Sequence, residues 1–293
     1  MTERIDAREV RRSAPAKINA CLRVLGRRDD GYHELESLIL PLDLADTVTA
    51  REAPGLKVEV RGDGSLVDAV SSGGMNLGLV AALAMAETCD AATSGATIEI
   101  MKRIPVAAGL GGGSADAAAT LSALNELWGC GLDLEALLGL GERIGSDVPA
   151  LLVGGPVVMR GRGENVEPIH AQTTCWAVKR FDFPTRSPDA YRWWDEDGGR
   201  SGPDPGALYA AVETGSLETL GHALFNDLEE PVGRRHPQVS EVKQAFLEAG
   251  ALGAVMSGSG PTVVALARHP MHAEHLVAAV PGAFIAASVS GQR

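Results

Sequence analysis

From Pro105 to Ala115 the chain reads Pro105-Val106-Ala107-Ala108-Gly109-Leu110-Gly111-Gly112-Gly113-Ser114-Ala115. Four glycines within five residues let the backbone approach a ligand with no side chain in the way. Beyond them Ala117, Leu121, Leu124 and Trp128 recur at helical spacing, so a helix follows and ends at Gly129. Its first N–H groups and the positive end of its dipole point back at the glycines, an arrangement that binds phosphate. Two other phosphate loops do not fit. A Walker loop needs Gly-Lys-Ser/Thr, and Gly113 is followed by Ser114-Ala115; the dinucleotide fingerprint meets Ser114 where its last glycine belongs. The plain alternative is a flexible turn, and the position between a strand and a helix favours phosphate.

A phosphate loop without a Walker lysine leaves two needs: a cation near the transferred phosphoryl and a group to orient the nucleophile. Lys17 and Asp147 are the candidates. Ala16 to Leu25 alternates, with Ile18, Ala20, Leu22 and Val24 on one face and Lys17, Asn19, Cys21 and Arg23 on the other. Asp147 sits in Gly145-Ser146-Asp147-Val148-Pro149. Spacing alone gives each a structural reading: Lys17 as the gatekeeper of an edge strand, Asp147 as a cap before a helix starting at Pro149. His269, His272 and His275 are spaced to grip a metal, but their polar surroundings read as a solvated helix. Trp193-Trp194 reads as a loop anchor.

These residues need elements to place them. Leu56–Val60 and Thr97–Met101 alternate as strands, and Thr262–Leu266 and Ala283–Val289 also read as strands. Asp133 caps a helix with Leu134, Leu137, Leu138, Gly141 and Ile144 inward and Gly145 as its stop. Glu241–Ala249 reads as helix. Gly161 to Pro205, rich in glycine, proline and charge, reads as a domain junction with a pocket-forming loop. Strands and helices mix without strict alternation, which predicts an α+β fold.

Composition narrows the function. Of 293 residues 45% are hydrophobic and 22% charged, enough for a sizeable core. A net charge of −12 opposes general binding to nucleic acid or anionic membrane. The arginine pairs Arg11-Arg12, Arg27-Arg28 and Arg234-Arg235 read as solvated surface. Cys21, Cys89, Cys130 and Cys175 lie far apart with no C-x-x-C, which predicts neither a zinc site nor a disulfide framework and so a reducing cytoplasm. Residues 1–14 lack the apolar stretch of a signal peptide, and the longest apolar run, Ala150–Met159, is too short to span a bilayer.

Several motifs occur in one order: Ala14-Pro15-Ala16-Lys17-Ile18-Asn19, Gly31-Tyr32-His33-Glu34-Leu35, the glycine loop, Gly145-Ser146-Asp147-Val148-Pro149 and Ser257-Gly258-Ser259-Gly260. Together they resemble the GHMP kinases, and the Gly31–Leu35 run resembles the branch acting on 4-diphosphocytidyl-2-C-methyl-D-erythritol. The resemblance implies a two-domain α+β fold: an N-terminal nucleotide domain (1–165, ribosomal-S5-domain-2-like) and a ferredoxin-like substrate domain (166–293), with the site in the cleft between them. It implies ATP as co-substrate with Mg2+, a cytidine-diphosphate-linked methylerythritol as acceptor, and Lys17 and Asp147 as the catalytic pair. Pro105 to Ala115 would hold ATP. Asn19, Tyr32, His33, Ser257 and Gly258 would hold the acceptor, and Tyr191, after Ser187-Pro188, would stack on the cytosine. Ala107-Ala108 stands where many members have glycines.

Overall fold

The computed structural model describes residues 8–64, 76–89 and 95–290. The chain divides into two compact units, Met1–Pro15, Ala45–Val106 and Gly112–Leu152 in the first, Ala16–Leu44, Ala107–Gly111 and Val153–Arg293 in the second. Two long strands, β1 (Glu9–Arg27) and β2 (His33–Ala53), run through both.

The first unit is completed by β3 (Lys57–Arg61), α1 (Leu77–Thr88), β4 (Gly95–Met101), α2 (Gly112–Trp128), α3 (Leu134–Ile144) and α4 (Val148–Val153). β4 pairs antiparallel with the end of β2, from Thr47 opposite Met101 to Ala53 opposite Gly95, and parallel with β3. Alternation decides which face is inside: Ile98 and Ile100 of β4 and Val48 and Ala50 of β2 are fully buried. Helix α1 packs against α2, half of whose buried residues are alanine, so the two backbones come close. At Gly78 the approach is tight, since a Cβ there would lie 2.7 Å from Ile100 Cδ1. The caps of α3 are those the sequence predicts: the Asp133 carboxylate accepts from Ala136 N–H, and Gly145 ends the helix. Its first turn differs, because Leu134 points to solvent and Leu140 takes the inward place. The cysteines also correct the expectation. Cys89, at the C-terminus of α1, and Cys130, just past α2, are 41 residues apart and form a disulfide, because helix packing brings those ends together.

The second unit contains β5 (Val157–Gly161), β6 (Asn165–Pro168), β7 (Cys175–Lys179), α5 (Ser187–Glu196), α6 (Gly206–Thr214), α7 (Leu217–Ala223), β8 (Phe225–Asn226), α8 (Glu229–Arg235), α9 (Pro237–Glu248), β9 (Gly253–Met256), β10 (Val263–Ala267), α10 (Pro270–Ala279) and β11 (Ala283–Ala287). The start of β2 pairs antiparallel with β5, β5 with β6, and β1 pairs parallel with β8. An antiparallel sheet of order β11-β7-β10-β9 packs on a core in which Phe246, Met256 and Val263 are fully buried. The stretch 161–205 is more regular than its composition suggests. It holds β6, β7 and α5, and α5 starts with Pro188 in its first turn, where a missing N–H costs nothing. The arginine pairs are also engaged. Arg28 bonds Asp30, Glu34 and Glu164, and Arg235 bonds Asp197 while covering Trp193. His269 caps α10, its Nδ1 accepting from His272 N–H. No helix among the described residues is long and apolar enough to cross a membrane.

Candidate active site

Lys17 is 3% exposed, in a strand flanked by β2 and β8, so the edge-gatekeeper reading fails. Period two puts its side chain beside that of Asn19, and the Lys17 ammonium donates to Asn19 Oδ1 at 2.7 Å. The relay continues: Asn19 Nδ2 donates to Ser37 Oγ at 2.7 Å, and Ser37 donates to the Cys21 carbonyl at 2.6 Å. The ammonium is thus oriented by an amide whose own position is fixed from the backbone. Burying such a charge is costly unless it is hydrogen-bonded, so this relay is an investment in a particular geometry.

Two glycine-bearing segments close on Lys17. Lys17 N–H donates to the Leu110 carbonyl at 2.9 Å, tying β1 to the glycine loop. Gly111 has φ +69°, and a Cβ there would lie 2.8 Å from Lys17 Cγ. Gly258 has φ +58°, and a Cβ there would lie 3.3 Å from Lys17 Nζ and 3.2 Å from Asn19 Oδ1. Only glycine leaves room at both places. Ser257 braces the group: its Oγ accepts from Asn19 N–H and donates to the Gly109 carbonyl, each at 3.2 Å. Sequence reasoning missed the residue holding this turn. Asn226 Nδ2 donates to the carbonyls of Met256 and Gly258 at 2.7 and 2.8 Å, and a lone asparagine in a two-residue strand gives no local signal. Ala107 adopts φ +54°, the left-handed region that a glycine would occupy without strain.

In the first unit, Asp147 is half-buried and immediately precedes α4, its carbonyl accepting from Leu151 N–H. The helix therefore begins one residue before Pro149. The turn leading to Asp147 lies near the start of α2: a Cβ on Gly145 would be 3.8 Å from Ser114 Oγ. Lys17 and Asp147 belong to different units.

A second cluster gathers around His33, 9% exposed at the start of β2. Tyr191, Trp194 and Asp195 share one face of α5 by their spacing of three and four. The Tyr191 ring lies parallel to the His33 ring with centroids 4.9 Å apart, and Trp194 meets it edge-on at 5.7 Å. His33 Nε2 is 2.9 Å from Asp195 Oδ1. Trp194 is thus part of this cluster, and its Nε1–H donates to the Arg200 carbonyl at 3.2 Å, so it also anchors the loop after α5 as the sequence predicts; Trp193 faces Arg192, Arg235 and His236. Tyr32 is 53% exposed, with the Arg162 guanidinium 5.1 Å above its ring. Among the described residues no group of three His, Cys, Asp or Glu side chains is placed to hold a metal.

Known proteins resemble this chain. The family of GHMP kinases N terminal domains matches residues 76–155, and that of GHMP kinases C terminal matches residues 208–286. A 4-diphosphocytidyl-2-C-methyl-D-erythritol kinase of Symbiobacterium thermophilum is 42% identical, over 85% of this chain and 87% of its own. One from Gloeobacter violaceus is 41% identical, over 93% and 90%. The chain belongs to the GHMP kinase family. A solved 4-(cytidine 5'-diphospho)-2C-methyl-D-erythritol kinase superposes with a TM-score of 0.79 at 34% identity, covering 96% of this chain and 100% of that one. A homoserine kinase from Cytophaga hutchinsonii shares the fold at 21% identity, with a TM-score of 0.70 over 100% of this chain and 98% of its own. The N-terminal match spans the glycine loop and Asp147; the C-terminal match spans Ser257 and Gly258.

Proposed function

We propose that this GHMP kinase transfers the γ-phosphoryl of ATP to the 2-hydroxyl of 4-diphosphocytidyl-2-C-methyl-D-erythritol, a step of the non-mevalonate route to isoprenoid precursors. Identity of 42% over 85% of the chain to a kinase of that name is the observation that carries the reading. The segment Pro105–Ala115 holds the nucleotide phosphates on backbone N–H groups and the start of α2. Residues 1–165 form the nucleotide and catalytic portion and 166–293 the substrate portion, and the enzyme works in the cytoplasm. Magnesium accompanying ATP would supply charge neutralisation on the phosphates.

The chain's own residues then divide the work. Asp147 accepts or orients the proton of the acceptor hydroxyl, and Lys17 stabilises charge developing on the alkoxide and the moving phosphoryl group. Asn19 aims the Lys17 ammonium, and Ser257 and Gly258 keep the acceptor side of that ammonium narrow. Tyr32 and Tyr191 offer faces to the cytosine. His33 offers a polar edge, the group that distinguishes one base from another. Homoserine or mevalonate as acceptor would leave the His33 cluster without a task, as would a nucleotide sensor without turnover. ADP release separates these readings when measured with the cytidylyl substrate, with homoserine, with mevalonate and with ATP alone. Release with the cytidylyl substrate only is expected. Release with homoserine or mevalonate, or none with any acceptor, overturns the assignment.

A further inference from the structure

A charged group in the first unit has no part in the chemistry above. Asp46, Lys102 and Asp116 are 0%, 4% and 5% exposed. Lys102 directly follows β4 and puts its ammonium between the two carboxyls, bonded to Asp46 Oδ2 and 2.7 Å from Asp116 Oδ2. Asp46 Oδ1 accepts from the N–H groups of Arg103 and, at 2.8 Å, Ile104, the residues that lead into Pro105. Asp116 lies in α2, just beyond Ala115. A Cβ on Gly112 would be 3.5 Å from Lys102 Nζ, so the network reaches the glycines themselves. One ammonium faces two carboxyls, and Asp116 Oδ1 is buried with no hydrogen-bond partner. An orphaned buried oxygen is destabilising, and an apolar trio would hold strand to helix at least as well. The charge therefore calls for a functional reason.

We propose that Asp46, Lys102 and Asp116 are the positioning network of the nucleotide loop, fixing the strand that enters it and the helix that leaves it, with charge on Asp116 opposing phosphate at the start of that helix. The proposal rests on reading residues 105–115 as the ATP segment. Burial is the largest influence on Asp116 and pushes its carboxyl up, to about 7; Lys102 pulls it down and Asp46 adds to the rise. Burial works against the Lys102 charge, but Asp116 and Asp46 outweigh it and raise its pKa. Lys102 and Asp46 are the charged groups acting on Asp116. The other titratable groups on the helices packed against α2 are Glu87 of α1 and Glu135, Glu142 and Arg143 of α3. Below neutrality Asp116 is neutral and the network balances one cation against one anion. Above it, a net negative charge stands one turn into α2 and competes with phosphate for the same positive helix end.

The test compares wild type with the near-isosteric Asp116→Asn in steady-state kinetics from pH 6 to 8.5. For wild type the apparent KM for ATP should rise by about 5-fold more than for the variant, the size of one charge near a helix terminus. The KM for the cytidylyl substrate should follow the same course in both. Stability gives a second readout with a definite sign. The folded chain binds the Asp116 proton more tightly than the unfolded chain, so wild type loses stability as pH rises from about 4 to 7, and Asp116→Asn lacks that slope. If the variant cannot be purified folded, calorimetry of wild type with MgADP at pH 7.5 takes its place, and proton uptake on binding is expected. Identical pH profiles, equal shifts in both KM values, or no proton uptake overturns the proposal. Gly113→Val separates the two readings, since a Cβ there meets nothing closer than Leu77 at 3.5 Å. If it raises the KM for ATP while Asp116→Asn changes nothing, the loop assignment stands and the network's role falls. If it leaves ATP untouched, the loop assignment falls as well.

Discussion

Lys17 and Lys102 are both almost fully buried, and each lies against a glycine of the same loop, Lys17 against Gly111 and Lys102 against Gly112. Their neighbours give them different work. Lys102 is pinned between the carboxyls of Asp46 and Asp116, which neutralise it and use it as a bracket. Lys17 is aimed by an amide, Asn19, itself tethered through Ser37 to the backbone. Burial of a lysine therefore says little about catalysis until the chemistry of its partners is counted.

Substitution should separate the two. Lys17→Met should lower turnover by ~10²–10⁴, the range for losing charge stabilisation or acid–base help, with a modest change in thermal midpoint. Asp147→Asn should match it, and kinetics beside thermal melts decide the point. Lys102→Met should do the reverse, costing ~3–5 kcal/mol of stability because two buried carboxyls lose their cation. Denaturant unfolding measures this, and a stable but inactive Lys102→Met would erase the contrast.

Gly111→Ala sharpens it. The new Cβ would press on Lys17 Cγ at a backbone angle that alanine tolerates poorly. A loss of about 10- to 100-fold in kcat is expected from the displaced ammonium, with less change in the KM for ATP. A raised KM for ATP with kcat intact would show that this glycine serves the phosphates and not Lys17. The smallest expected effect lies at the base. Tyr191→Ala should raise the KM for the cytidylyl substrate by the equivalent of ~1–3 kcal/mol of stacking, leaving ATP little affected. His33→Ala should reduce the preference for cytidine over uridine in the same assay.

Local patterns in the sequence were reliable where one element carried the whole signal. Alternation placed Lys17 beside Asn19, and Asp133 and Gly145 bounded α3, because strand period and helix caps are set within a few residues. Interactions across the chain left no such mark. Lys102 meets Asp46 over 56 residues, and Asn226 braces Gly258 over 32, through folding alone. Cys89 and Cys130 looked unrelated until α1 packed on α2. Helix α5 was hidden by its composition. Glycine, proline and charge around it read as loop, and Arg192, Asp195 and Glu196 obscured the face shared by Tyr191 and Trp194.

The proposed function assigns the His33 cluster to the cytosine of the acceptor, so the acceptor is where that proposal is most exposed. The deciding measurement is kcat/KM for ADP release with 4-diphosphocytidyl-2-C-methyl-D-erythritol against methylerythritol phosphate, which lacks the cytidylyl group. Loss of stacking and of the ring-edge hydrogen bonds predicts a preference of at least ~100-fold for the full substrate. Equal efficiency with the two would contradict the account.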